Sequence, residues 1–222
     1  MPLSMLTREL ISHSFPYLHL EDKVYHALQL MSDYHVAHLP VVDNDKYIGI
    51  IDEDQLLHTD DTNEIQQSHF SMALPSVQGG DHFLKAIQVA VDNRLSIVPV
   101  VDNGQMIGVV TYTDMLRNTF DFMSLNEPGA LIVLEMETNN FSFNEISRIV
   151  EANDAQITQL NTFTDTETGM TQVTIKVNKL EISNIVGSFQ RYEYIVKYYF
   201  GEELYENELR NNYDNLMNYL NI

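Results

Sequence analysis

The chain is 222 residues long, enough for one large domain or two modest ones with a real core. Twelve Lys and Arg against 32 Asp and Glu give a formal charge of −20, which excludes a protein that grips nucleic acid through cations on phosphates and excludes a polybasic membrane anchor. There is no cysteine, hence no disulfide framework, thiolate metal site or Cys nucleophile.

No apolar run approaches the roughly 18–20 residues of a membrane span, and Met1-Pro2-Leu3-Ser4-Met5 lacks the charged and apolar regions of a signal peptide. The composition predicts a soluble, acidic, cytoplasmic protein. Sliding the chain by 59 residues superimposes Pro16 on Pro75, Asp22 on Asp81, Ala27 on Ala86, Gln29 on Gln88, Asp33 on Asp92 and Pro40 on Pro99. The same register aligns Val41-Val42-Asp43-Asn44 with Val100-Val101-Asp102-Asn103, then Ile48-Gly49 with Ile107-Gly108, and Leu57 with Leu116. Two copies of one unit therefore fill residues 1–125.

Within the first copy, Val24, Leu28 and Met31 recur at helical spacing; the second copy has Phe83, Ile87 and Ala90 or Val91. An apolar strand follows (Leu39–Val42, then Val98–Val101), and its proline predicts an edge or a strand start. Asp43-Asn44-Asp45 and Asp102-Asn103-Gly104 carry hairpin-turn chemistry. The return strands are Tyr47–Ile51 and Met106–Val110, each running into a helix near Asp54 or Thr113. The tandem pattern Pro-Val-Val-Asp…Ile-Gly resembles a pair of CBS domains, a Bateman module. That resemblance implies a β-α-β-β-α unit per copy, pseudo-twofold symmetry, dimerisation into a flat disc and adenosyl compounds bound in the clefts.

In the family, the second hairpin strand runs into Gly-x-x-Thr/Ser-x-x-Asp, which is Gly108-Val109-Val110-Thr111-Tyr112-Thr113-Asp114 in this chain. A helix start accepts a phosphate, Thr111 adds a hydroxyl, and Asp114 could take both ribose hydroxyls. The glycine permits close approach of backbone to ligand. The plainer reading of the same residues is a helix cap. Carried over by position, Ile97 and Val98 beside Ser96, with Pro75 and Val77 on the leading strand, would wall an adenine ring. Arg94 is the nearest cation in sequence, which favours AMP or S-adenosylmethionine over ATP, with ADP also in the set. The first copy places Asp52 where Thr111 stands and Gln55 where Asp114 stands. That carboxylate repels an anion, so one functional cleft per module is expected, with His38 and Asp52 as the possible contacts of the second.

After Pro128-Gly129 a new pattern begins. Ala130–Met136 predicts a strand, Ser142–Glu145 a capping box, and Ile146, Ile149 and Val150 a helix face. Strands at Ile157–Phe163 and Val173–Val177 flank a turn at Asp165–Gly169. Ile182, Ile185, Val186 and Phe189 mark a second helix, and Tyr194–Phe200 a last strand. The order β-α-β-β-α-β is ferredoxin-like. After a CBS pair it resembles an ACT domain, and the whole resembles the acetoin-utilisation B-like proteins. The first strand-to-helix turn, Thr138–Phe141, has no glycine, which points to a dimerisation or structural role for this segment over amino-acid binding. Tyr205, Leu209, Tyr213, Leu216 and Leu220 form an amphipathic stripe suited to docking on its own or a sister subunit.

The expected fold class is thus α/β (α+β): CBS motifs at 1–63 and 64–125, an ACT-like domain at 126–200 and a C-terminal helix at 201–222. His35 and His38 straddle a helix–strand junction and are not expected to bind metal. The acidic stretches Asp52-Glu53-Asp54 and Asp60-Asp61 lack a calcium loop's glycine and terminal Glu. No nucleophile, metal set or paired general acid and base stands out, so no catalytic residue is assigned. The function expected is non-enzymatic: a homodimeric sensor, needing no cofactor, that binds an adenosine-containing metabolite and acts on an unidentified regulated protein. The alternative is a structural adaptor with vestigial clefts that docks a partner protein.

Overall fold

A computed structural model describes residues 5–12, 14–68 and 74–201, so the predicted C-terminal helix lies outside the described residues. The chain divides after Phe122 into two units. In the first, the doubled sequence produces doubled hydrogen bonding. Helix α1 (Val24–Tyr34) is matched by α3 (Phe83–Asn93), the hairpin β1 (His38–Asp43) and β2 (Lys46–Asp52) by β3 (Ile97–Asp102) and β4 (Gln105–Thr111), and α2 (Glu53–Leu57) by α4 (Tyr112–Phe122). Both first helices end on a left-handed residue, His35 at φ +53° and Arg94 at φ +55°. Both hairpins close on two residues of positive φ, Asn44-Asp45 and Asn103-Gly104, as a type I′ turn requires.

The sheet order β1-β2-β4-β3 puts the proline-bearing strands at the edges, as the proline predicts. The expected opening strand of each copy is reduced to a single parallel bridge, Leu18 to Val41 and Val77 to Val100. Its hydrogen bonds repeat too: Leu18 N to Pro40 O is 2.9 Å, and Val77 N to Pro99 O is 3.0 Å. The copies differ in their last helix. In the first copy α2 stops at Leu57, where Thr59 N donates to Leu56 O at 2.9 Å and Thr59 Oγ1 to Gln55 O at 3.1 Å, and a local turn of Asp60 accepting from Thr62 follows.

The segments leading into the repeats cross over. Thr7 N and Arg8 N, ahead of the first repeat, donate to Asp81 O and Gly79 O of the second at 2.9 and 3.1 Å. Reciprocally, Ile65 N and Gln66 N, ahead of the second, donate to Asp22 O and Leu20 O of the first at 2.9 and 3.0 Å. The cores interlock as well, because Leu95, Ile97 and Val109 of the second repeat are buried with Leu18, Met31, Leu39 and Ile51 of the first.

The second unit is β5 (Ala130–Glu137), α5 (Phe143–Glu151), β6 (Ile157–Thr164), β7 (Met170–Val177), α6 (Ser183–Arg191) and β8 (Ile195–Phe200). Its antiparallel order β6-β7-β5-β8 is that of the ferredoxin-like fold. Alternate residues Ala130, Ile132, Leu134 and Met136 of β5 pack under Ile146, Ile149, Ile185 and Phe189 of the two helices. The capping box is only half formed. Ser142 Oγ accepts from Glu145 N at 3.4 Å, but the Glu145 carboxylate accepts from the Tyr194 hydroxyl at 2.7 Å. Burial and that carboxylate push the Tyr194 phenol up to about 12.

Gly108 corrects one expectation. Its bare Cα admits the chain's own Ile11 and not a ligand: an added Cβ would sit 2.2 Å from Ile11 Cγ2, at φ +154°. Gly108→Ala is expected to cost about 1–3 kcal/mol, read as a lower urea midpoint at unchanged slope. Ile11→Ala in that background should recover part of the loss.

Candidate functional site

Thr111 and Asp114 stand where the second hairpin hands over to its last helix, and Asp52 and Gln55 stand at the same place in the first repeat. Thr111, the last residue of β4, pairs in register with Ile97, the first of β3. Thr111 Oγ1 lies 2.6 Å from Asp114 Oδ2, Thr111 N donates to the same oxygen at 3.1 Å, and Asp114 N donates back to Thr111 Oγ1 at 3.2 Å. The pair therefore caps α4 reciprocally, with both side chains half-buried. Ile97 and Val98 are fully buried and Val77 nearly so; Val77 packs with Val98, Val100, Val110 and Met115. Pro75 is half-buried, and its carbonyl accepts from the Tyr47 hydroxyl of the first repeat at 3.2 Å.

The equivalent corner of the first repeat is built from other chemistry. His38 pairs in register with Asp52, as Ile97 does with Thr111. Asp52 caps α2, accepting from Gln55 N at 2.7 Å. Gln55, at the position of Asp114, has its Oε1 shielded from solvent without a partner among the described residues, an acceptor open to a donor.

His38 and Ser96 join the two corners, a link that sequence spacing did not reveal. Ser96 N donates to His38 Nδ1 at 3.1 Å, and Ser96 Oγ lies 3.1 Å from the same nitrogen while accepting from Ala37 N at 3.0 Å. An amide can only donate, so Nδ1 is the bare nitrogen and the neutral ring carries its proton on Nε2. The repeat register gives the signal in retrospect: His38 aligns with fully buried Ile97, and a ring at a core position needs a partner. Among the described residues, no cluster of three or more His, Asp or Glu is placed to hold a metal. None of their helices is long and apolar enough to cross a membrane.

Residues 8–60 and 71–121 each match the family model of the CBS domain. The first half of this chain is a tandem CBS pair. Inosine-5′-monophosphate dehydrogenase of Methanocaldococcus jannaschii is 28% identical over 116 residues, 51% of this chain and 23% of the enzyme. That of Thermoplasma acidophilum is 28% identical over 48% of this chain and 22% of the enzyme. The chain thus spans about a quarter of the length of the curated relatives it matches. A CBS domain pair/ACT domain protein of Thermotoga maritima superposes on 53% of this chain and 98% of its own, at 21% identity and TM-score 0.49. A Vibrio cholerae protein named for acetoin utilization superposes on 57% of this chain and all of its own, at 20% identity and TM-score 0.48.

Downstream of the CBS pair, the ferredoxin-like unit has a cavity of about 520 Å³ at the end of β5 and the turn without glycine. Glu135, Glu137, Glu145 and Glu193 line it, and Lys197 pairs with Glu135. Four carboxylates make this cavity acidic, so it repels a ligand's carboxylate and attracts a cationic group.

Burial pulls the His38 imidazole below its ordinary 6.5, against the opposing pull of Asp52 and Asp54. Protonating Nδ1 would also set two donors against each other. A lowered folded-state value makes this group's contribution complete above 6.5 and progressively lost as pH falls through the folded value. His38→Gln, which keeps an acceptor for Ser96 N and does not titrate, should flatten the acid limb of denaturant stability below about pH 6.5.

Proposed function

We propose that this chain is a non-enzymatic regulatory protein whose CBS pair binds an adenosine-containing metabolite, AMP or S-adenosylmethionine in preference to ATP. CBS pairs are commonly regulatory modules with adenosine ligands, and the residues of the family's binding pattern are present in the second repeat. The observation that carries the reading is the asymmetry of the two corners. A hydroxyl and a carboxylate, Thr111 and Asp114, stand at the start of an 11-residue helix in one repeat, whose first amide, Tyr112 N, donates to Ser96 O. In the other repeat Asp52 and Gln55 front a helix of only five residues. A phosphate is tolerated at the first corner and repelled by Asp52 at the second. Ligand binding would exchange the Thr111–Asp114 hydrogen bond for contacts to the ligand's hydroxyls.

The signal would leave through a homodimer. A groove of about 320 Å³ between α3 and α4 is lined by Ile87, Ala90, Val91, Met115 and Leu116. Val91 and Leu116 are 65% and 73% exposed, apolar area of the kind that a second copy covers. Leu116→Asp is expected to convert a dimer to a monomer by multi-angle light scattering, with the circular dichroism spectrum unchanged.

One observation favours the adaptor reading: Thr111 and Asp114 already satisfy each other, and a cap needs no ligand. Thermal melts with AMP, ADP, ATP and S-adenosylmethionine separate the two. A ligand at 100 times its Kd should add about 2.7 kcal/mol to the native chain. Thr111→Ala/Asp114→Ala lowers the starting stability by about 1 kcal/mol through the lost cap, so the quantity read is the ligand-induced increment, which should vanish. Flat melts of the native chain with all four compounds would overturn the sensor reading.

A further inference from the structure

In so acidic a chain, the exception is the helical face of the second unit. Its described residues hold five cations, Arg148, Lys176, Lys179, Arg191 and Lys197, against ten carboxylates. Two cations are committed elsewhere: Lys176 donates to the carbonyls of Ser124 and Glu127, and Lys197 pairs with Glu135. The other three converge on Asn153. Arg148 and Arg191 line a groove of about 430 Å³ with Ile149, Asn153, Ser188 and Tyr192, and Lys179 Nζ donates to Asn153 O at 2.8 Å. No carboxylate lines this groove, and among the described residues none forms an ion pair with any of the three. The two acids of α5 three residues either side of Arg148 are engaged elsewhere: Glu145 accepts from the Tyr194 hydroxyl at 2.7 Å and Glu151 from Ser147 Oγ at 2.9 Å.

The groove is also organised. Ser188 is buried, and its hydroxyl donates to Asn184 O at 2.8 Å, which leaves its oxygen to accept from Asn153 Nδ2 at 3.1 Å and from Arg191 Nη2 at 2.7 Å. One edge of the Arg191 guanidinium is thereby held down, and its remaining donors are free to meet a ligand. Two arginine forks on separate helices suit a tetrahedral group, which offers more than one pair of acceptor oxygens; a lone carboxylate offers one pair. The groove is larger than a phosphate, with room for a small organic body against Tyr192 and Ile149.

We propose that this groove between α5 and α6 binds the phosphoryl group of a small phosphomonoester, clamped by Arg148 and Arg191. The site lies in the ferredoxin-like unit and does not depend on the adenosyl reading of the CBS pair. The test is isothermal titration of the full chain with inorganic phosphate and with phenyl phosphate, malonate and chloride serving as controls at matched ionic strength. Phosphate should bind with a millimolar Kd and phenyl phosphate more tightly, and Arg148→Gln/Arg191→Gln should weaken both at least tenfold. Thr111→Ala/Asp114→Ala should leave both unchanged, which keeps this site distinct from the CBS cleft. Both arginines are exposed, so the variant is expected to fold; Arg191→Lys, which keeps the charge and loses the fork, should weaken binding by an intermediate factor. Malonate binding as tightly as phosphate would overturn the phosphoryl assignment. If the arginines serve only the C-terminal dipoles of their helices, the double variant will melt lower in chloride with its phosphate response intact, and the proposal falls.

Discussion

Leu20 and Asp22 in the first repeat, and Gly79 and Asp81 in the second, present backbone carbonyls that their own repeat leaves unpaired. Each set is satisfied by the segment that leads into the other repeat. A buried or half-buried carbonyl without a partner is costly, so neither copy is complete until the other is in place. Everything proposed for the N-terminal unit rests on this reciprocity. It presses the starts of β1 and β3 together and lets Ser96 reach His38. It also draws Ile11 across Gly108, filling from within the chain a space that the glycine leaves open.

The two copies share a backbone and have diverged in chemistry. Where the second repeat has a capped 11-residue helix with a hydroxyl and a carboxylate at its start, the first has an acidic, five-residue one. Where the second buries Ile97, the first half-buries the ring of His38 and supplies it with an amide. This is how a symmetric scaffold acquires an asymmetric ligand preference: the register holds the corners in equivalent places, and single side chains decide what each corner attracts. In the ferredoxin-like unit charge does the sorting, with glutamates gathered at the end of β5 and arginines on the helical face.

Much of the fold was legible in the sequence. The 59-residue register, the hairpin turns at Asn44 and Asn103, the helix faces and the β-α-β-β-α-β order of the second unit are properties of neighbours along the chain. The capping pair Thr111 and Asp114, three residues apart, was readable for the same reason. The short opening strands were less so, since a single bridge leaves almost no periodic signature. The missing half of the Ser142 capping box could not be foreseen either, because the competitor for Glu145 is Tyr194, on the far side of α6 in sequence.

By itself the sequence determined the doubled unit, its elements and turns, the acidic character and the residues that distinguish one corner from the other, because local spacing and turn chemistry dictate them. Only the tertiary structure decided the crossing of the leading segments, the His38–Ser96 link, the filling of Gly108 by Ile11 and the meeting of Arg148 with Arg191. Those contacts join residues tens of positions apart. They depend on which buried polar groups still lack a partner once the layers have packed, and no pattern along the chain records that.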